Sequence, residues 1–394
     1  MATAPLDIYE TTPAQELYET SPAQEIVIRA AGMHFLPRAE LSRAGFVAQW
    51  DSLVEDASEP NPFFEPWYLL PSLAALDPHE EVSVAAFYAR GRLVGLLPLA
   101  LAADYYRYPL PHAAAWLHAN SFCGAPLIAK GWERQFWQAL LAAFDRDPCG
   151  AMFLHLPQLP SESVVVEALR AILTEEGRAG GTVRVEERAL LSSDLSAENY
   201  FAAAMPNKKR KELRRQAKRL GEEGELEFAR QIDARDITEW TAEFLVLEQA
   251  GWKGGEGSAL ADGDATCALF RDAIAGAADA GRLERLTLRL DGKPIAMLAN
   301  FIAAPGAFSF KTAFDERYSR YSPGVLLQKE NLALLDRTDI DWCDSCAAEG
   351  HPMIERIWRD KRRMISLNVA IGGSVRRSIF RQLLRIETRD KAIR

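Results

Sequence analysis

Residues 82–103 (VSVAAFYARGRLVGLLPLALAA) and 283–304 (LERLTLRLDGKPIAMLANFIAA) lie on one another without a gap. Gly91 falls on Gly292, the apolar runs stay in step, and only four positions are identical. In each copy two apolar runs flank a turn, Gly91-Arg92 in the first and Asp291-Gly292 in the second, and such punctuation between strand-forming runs predicts a β-hairpin. One hairpin constrains little. The same hairpin twice, each set in a similar alternation of strands and helices, predicts two copies of one unit, repeated in structure rather than in residue identity.

Around the first hairpin the periodicity predicts a helix over 132–144, a short buried strand over 152–156, a helix over 164–176 and a strand over 182–188. Around the second it predicts a basic helix over 207–220, a strand over 226–230, helices over 237–248 and 265–280, and a strand over 307–314. Strands alternating with helices imply an α/β fold with a mixed sheet rather than a β-sandwich. The expected organisation is a leader 1–27, a first unit 28–195, a second unit 196–373 and a basic C-terminal helix 374–394. The leader repeats YETTPAQEL as YETSPAQEI and holds five acids with no base before Arg29, so it buries too little apolar surface to offset ordering and is expected to be disordered.

Several chemistries lose their usual signals. The chain has no GxxxxGK[ST], GxGxxG, GxSxG or HExxH pattern. Five sparse cysteines fit a reducing compartment. Cys343 and Cys346 form one CxxC without the further ligands zinc needs, so no metal is expected. Apolar runs such as 93–103 are about half of the roughly 20 residues a spanning helix requires, and the acidic N-terminus does not read as a signal peptide. The expected location is cytoplasmic. A net charge of −9 argues against general nucleic-acid binding, yet 207–220 holds eight Lys/Arg against one acid and 374–394 holds seven against two. Such local basic faces fit a defined anionic partner.

Three stretches carry candidate chemistry. In 310–331 (FKTAFDERYSRYSPGVLLQKEN), Ser322 as N-cap and Pro323 as first helical residue predict a helix start, with backbone N–H groups near Gly324, Val325 and Leu326 placed for an anion. Strand alternation puts Phe310, Thr312 and Phe314 on one face and Lys311 on the other, toward a cleft. In 248–260 (EQAGWKGGEGSAL), Glu248 ends a helix, and the glycine-rich run beyond it, with Trp252 and Lys253, reads either as a ligand wall or as a C-cap and mobile loop. In 341–358 (DWCDSCAAEGHPMIERIW), Asp344 and His351 read either as an acid/base or orienting pair, or, for His351-Pro352, as the opening of a helix over 353–359.

These three stretches and the basic helix together resemble the GNAT superfamily, in the branch with two GNAT-like units that includes CelD-type proteins and is related to FemAB aminoacyl transferases. The resemblance spans about residues 80–370 and is most specific after Asn207. It implies a pair of GNAT folds, the first degenerate and the second holding the acyl donor. The family's diphosphate loop reads Gln or Arg, two residues, Gly, one residue, then Gly or Ala; here YSPGVL (321–326) keeps only the central glycine. Acyl-CoA is thus expected on Ser322, Gly324, Val325 and Leu326 with nearby Lys/Arg, an aminoacyl-tRNA or carrier-protein donor remaining open. The implied reaction is direct N-acyl transfer to an amine, with His351 or Glu248 as base, Asp344 orienting, Lys311 near the thioester, and Trp252 and Lys253 at the substrate. In 374–394, Val375, Ile379, Leu383 and Ile386 share one face with arginines between them, the pattern of a helix on an anionic membrane. That pattern favours a long-chain amine such as a sphingoid base, as in the bacterial ceramide synthases of this branch, with peripheral contact at the inner membrane. Transfer to an amino sugar or a peptidoglycan or exopolysaccharide precursor, a non-catalytic envelope-polysaccharide scaffold, and a merely solvated basic face are the alternatives.

Overall fold

The computed structural model describes residues 29–255, 257 and 259–391. The leader read at 1–27 lies outside the described residues. The strands are β1 (Gly32–Leu36), β2 (Ser83–Ala89), β3 (Arg92–Ala102), β4 (His112–Ala115), β5 (Leu127–Ile128), β6 (Phe153–Pro160), β7 (Gly180–Leu191), β8 (Leu226–Gln231), β9 (Leu283–Leu290), β10 (Lys293–Ala303), β11 (Gly306–Phe314), β12 (Trp342–Asp344) and β13 (Asp360–Ala370). They form one mixed sheet in the order β1-β2-β3-β4-β6-β13-β7-β12-β11-β10-β9-β8, with β5 beside β3. The fold is mixed α/β, as the alternation implies.

Both predicted hairpins form, and they match in detail. Arg90 and Gly91 close one turn, Asp291 and Gly292 the other, all four with positive φ, the backbone that lets a two-residue turn follow the right-handed strand twist. The β2–β3 ladder skips Val94 and the β9–β10 ladder skips Ile295, positions that coincide in the ungapped alignment. Each half then sets a short parallel contact beside its hairpin, β4 with β6 and β11 with β12. A bulge kept at one position argues for duplication more strongly than the apolar runs do, because bulges are position-specific features.

The last strand of each half crosses over. β7 comes from the first half yet pairs antiparallel with β12 of the second, and β13 from the second half pairs with β6 of the first. β7 and β13 also pair with each other from Asp360↔Leu190 to Val369↔Gly180. The buried core is correspondingly shared. Phe63 and Tyr68 meet Phe301 and Phe310 ring to ring, and the helix Pro66–Leu76 packs on Asp264–Asp279, where Gly276 lets the Trp67 backbone approach.

The helix expected over 353–359 does not form. Ile354, Ile357 and Trp358 are buried in a run of turns, and the Arg359 N–H and guanidinium are taken by Tyr200 Oη and the Ala204 carbonyl, which draws the chain out into β13. The basic helix spans Asn207–Leu220 and the C-terminal helix Ser374–Lys391. No helix among the described residues is long and apolar enough to cross a membrane.

Candidate active site

β11 and β12 pair only over Gly306↔Trp342, Ala307↔Cys343 and Phe308↔Asp344. β12 then ends while β11 runs on to Phe314, so one edge of β11 is open from Ser309 onward. On its other side the β10 ladder skips Phe310, a bulge at the start of the open stretch. Ser309 Oγ is buried there without a hydrogen-bond partner among the described residues, and a hydroxyl so placed bears an unmet desolvation cost until something reaches it.

Lys311 lies two residues further along the open edge. Its Nζ donates to Asn120 Oδ1 at 2.7 Å and stands 5.5 Å from the centroids of both Phe122 and Phe310. Strict alternation had put Lys311 and Phe310 on opposite faces; the bulge at Phe310 breaks the period and brings both against Phe122. Residues 116–124 of the first half thus cover the parting of the strands in the second. Within that segment His118 stacks on Tyr68, accepts the Asn120 N–H at Nδ1 and reaches Ser72 Oγ at 3.2 Å through Nε2. Burial, with the Lys311 cation adding to it, pushes the His118 imidazole down to about 4.

Asp344 is fully buried at the end of β12. Its carboxylate faces Arg362 at 3.2 Å and Arg188 at 3.8 Å and accepts the Cys346 N–H at 2.8 Å. These arginines sit on the exchanged strands: Arg188 on β7 also donates to Phe122 O and Gln158 Oε1, and Arg362 on β13 stacks 4.0 Å over Trp342. The expected Asp344 and His351 pair is therefore reassigned on the carboxylate side, since Coulombic and hydrogen-bond partners already surround Asp344. The His351 imidazole is half-buried and close enough to Glu355 to help Lys361 hold that carboxyl below its usual range. Burial pushes the Cys343 and Cys346 thiols well up, which leaves both protonated.

Glu248 is also buried, and its Oε2 accepts the Leu260 N–H at 2.9 Å, tying the helix Ile237–Ala250 to the far end of the glycine-rich loop. Gly251 begins that loop close to the Phe314 carbonyl, so the segment faces the end of β11. Trp252 and Lys253 belong to a short helix, Trp252–Gly255; their side chains lie outside the described set.

The helix Pro323–Asn331 starts where predicted, but its N-terminus is not an open cradle. Ser322 caps it from the left-handed region with no side-chain bond, and the Val325 and Leu326 N–H groups both donate to the Ser322 carbonyl. Pro323 has no N–H, and a side-chain carbon on Gly324 would lie 2.7 Å from Met353 Sδ and 3.2 Å from the Phe314 ring. The residues expected to hold a CoA diphosphate, Ser322, Gly324, Val325 and Leu326, do not fit one as arranged. The Val325 and Leu326 donors are already bonded and Gly324 is buried, which leaves the partly exposed Ser322 hydroxyl. Cations near this place are the exposed Arg317 and Arg320 of the 316–321 turn and, on the helix Asn207–Leu220 that packs on that turn, the exposed Lys208, Lys211, Arg214, Lys218 and Arg219.

Sequence reasoning missed Asn120, Ser309, Arg188 and Arg362. Asn120 lies in a polar island, HANS, amid apolar residues, which was a usable signal. The arginines carried none, because their importance comes from strand exchange.

Residues 207–351 match the family model described as acetyltransferase (GNAT) domain. This stretch is a GNAT-type acyltransferase domain. Comparison with curated protein sequences returns no match. Among solved structures the chain is similar to FemX (TM-score 0.55, 10% identity, 86% of this chain and 98% of that one). It is also similar to a conserved protein of unknown function from Bacteroides thetaiotaomicron (0.54, 13%, 82% and 97%). A third likeness is to the C-terminal domain of a putative lysylphosphatidylglycerol synthetase from Agrobacterium fabrum (0.50, 12%, 82% and 90%). At such identities these likenesses speak to the fold. They extend it over both halves, whereas the GNAT domain match lies in the second, and it is the GNAT domain that contains Ser309, Lys311, Asp344 and the parted strands.

Proposed function

We propose that the chain moves an acyl group from an acyl thioester, with acyl-CoA as the donor, to a primary amine where β11 parts from β12. The observation that carries this reading is the open edge of β11, with a buried unpartnered hydroxyl on Ser309 and a cation on Lys311 two residues on. A carbonyl laid along that edge meets donors where negative charge develops as the amine attacks. His351, on the segment that follows β12, takes the amine proton as general base. Asp344 acts through Arg188 and Arg362 as a positioning residue, and Glu248 does so through the glycine-rich loop, with Trp252 and Lys253 assigned to the substrate side of that loop. Because the 322–326 junction is closed, the donor's phosphates are assigned to the cationic helix Asn207–Leu220.

The acceptor we favour is a long-chain amine of the sphingoid type, giving a ceramide-type product, in a cytoplasmic protein that touches the inner membrane. The aromatic wall of Phe122, Phe310 and Tyr68 beside Lys311 supports an apolar acceptor. Transfer to an amino sugar or peptidoglycan-type amine is the second reading, supported by the whole-chain likeness to FemX. Incubation with long-chain acyl-CoA and a panel of amines, from sphingoid bases to amino sugars, with products read by mass, tests both. The expected result is an N-acyl product that falls at least tenfold in Lys311→Met. Thiol release without any N-acyl product sinks the transferase reading.

A further inference from the structure

A groove of about 870 Å³ runs between residues 105–110 of the first half and the C-terminal helix Ser374–Lys391, bordered by Phe153 of β6 and Asn368 of β13 and sharing no lining residue with the site above. Its walls are apolar, from Leu110, Phe153, Phe380 and Leu384, and its volume lies in the range that holds small molecules. Polar groups gather at one spot, where Tyr105 Oη donates to Glu387 and Asn368 Nδ2 donates to both.

The mouth of the groove is apolar and exposed at once. Tyr106 is 64% exposed and Tyr108 58%, and on the helix Val375, Ile379 and Ile386 are 73%, 48% and 61% exposed. At 3.6 residues per turn those three fall within about 40° of one another. The helix thus carries two apolar stripes: Phe380 and Leu384 face the body, while Val375, Ile379 and Ile386 face outward, Ile386 at the groove and Val375 and Ile379 beside a second hollow next to Met152. Arg385 and Arg381 flank the outward stripe, and Arg107 stands between the two tyrosines; all three are exposed. Tyrosines at the rim, an apolar stripe and flanking arginines on a chain of net charge −9 together match the interface of an anionic bilayer, where aromatic rings sit at headgroup depth and long cationic side chains reach the phosphates.

From this geometry we infer that the face formed by residues 105–110 and the C-terminal helix seats the protein on an anionic membrane, and that the groove receives a hydrocarbon chain of a lipid from it. The inference deepens the membrane contact of the proposed reading by naming the face that makes it, and it stands without the reaction, since seating on lipid needs no turnover.

Co-sedimentation of the full chain with vesicles of phosphatidylcholine, alone or mixed with phosphatidylglycerol, tests it. Wild-type protein is expected to sediment with the mixed vesicles and to be released by salt. Ile379→Ser with Ile386→Ser, and separately Tyr106→Ser with Tyr108→Ser, are each expected to lower the partition coefficient at least tenfold with the circular dichroism unchanged. Arg381→Glu with Arg385→Glu, which leaves every apolar group in place, is expected to lower binding to the mixed vesicles alone. Wild-type protein that stays in the supernatant with all vesicles overturns the inference. So do variants that sediment like wild type. If the apolar variants instead convert a dimer to a monomer in sedimentation velocity without lipid, the face joins two copies and the membrane seat is wrong.

Discussion

Lys311 is where the two halves touch chemically. Its ammonium lies on a strand of the second half, yet its hydrogen bond goes to Asn120 and its cation–π contact to Phe122 of the first. The same charge bears on His118, whose protonated form is disfavoured first by burial and then by Lys311. Removing the cation therefore removes the smaller of the two causes. Lys311→Met is expected to raise the His118 pKa from about 4 while burial keeps it below the usual histidine range, and proton NMR titration of the His118 ring measures it. An unmoved titration would mean that the ammonium does not face the imidazole in solution. The sequence made Lys311 legible as a strand residue, with the expectation that it faces a cleft. It did not show which wall the ammonium meets, since alternation assumes a regular ladder and the bulge at Phe310 is set by pairing with Asn300 and Ala299.

At the scale of elements, the helix Pro323–Asn331 shows how a correct boundary can mislead about a site. Pro at the first helical position marked the start well, because its missing N–H costs nothing there. What the local sequence did not contain is the long-range approach of Met353 and Phe314 to Gly324. Gly324→Ala is expected to cost about 1–3 kcal/mol by overpacking, read as a shift of the chemical-denaturation midpoint. Adding Met353→Ala is expected to recover most of that loss, because the thioether is the nearer contact; equal destabilisation in single and double variants would place the conflict in the backbone instead. The β13 strand was missed for a related reason. Its first residues, DKRR, look like a loop, and they become a strand because β7 pairs them from Leu190 to Glu187, with β6 joining as the second partner from Met364 onward. The hairpins were legible because everything that makes them, the apolar runs and the positive-φ turn residues, is local.

Across the whole molecule, the duplicated pattern foretold two units but not that each lends its final strand to the other. β7 closes the second half and β13 closes the first, so cutting the chain near residue 195 leaves one fragment without β13 and the other without β7. In the first fragment β6 becomes an exposed edge that its own sequence cannot cover, and a bare edge of apolar strand invites aggregation. Asp344 adds to the loss, since its buried carboxylate keeps Arg362 but loses Arg188 from β7 and its place opposite Leu190, and stripping one partner from a buried charge is destabilising. Neither fragment, 29–195 nor 196–391, is therefore expected to melt cooperatively alone, whereas the two expressed together are expected to co-purify and recover one transition in circular dichroism. The intact chain should likewise unfold in a single step, because the ring core from Phe63 to Phe310 and the β7–β13 ladder are held jointly. A first fragment that folds by itself with a sharp melt would show that β6 and β7 can pair directly, and that the exchange is a late addition to two self-sufficient units rather than the bond between them.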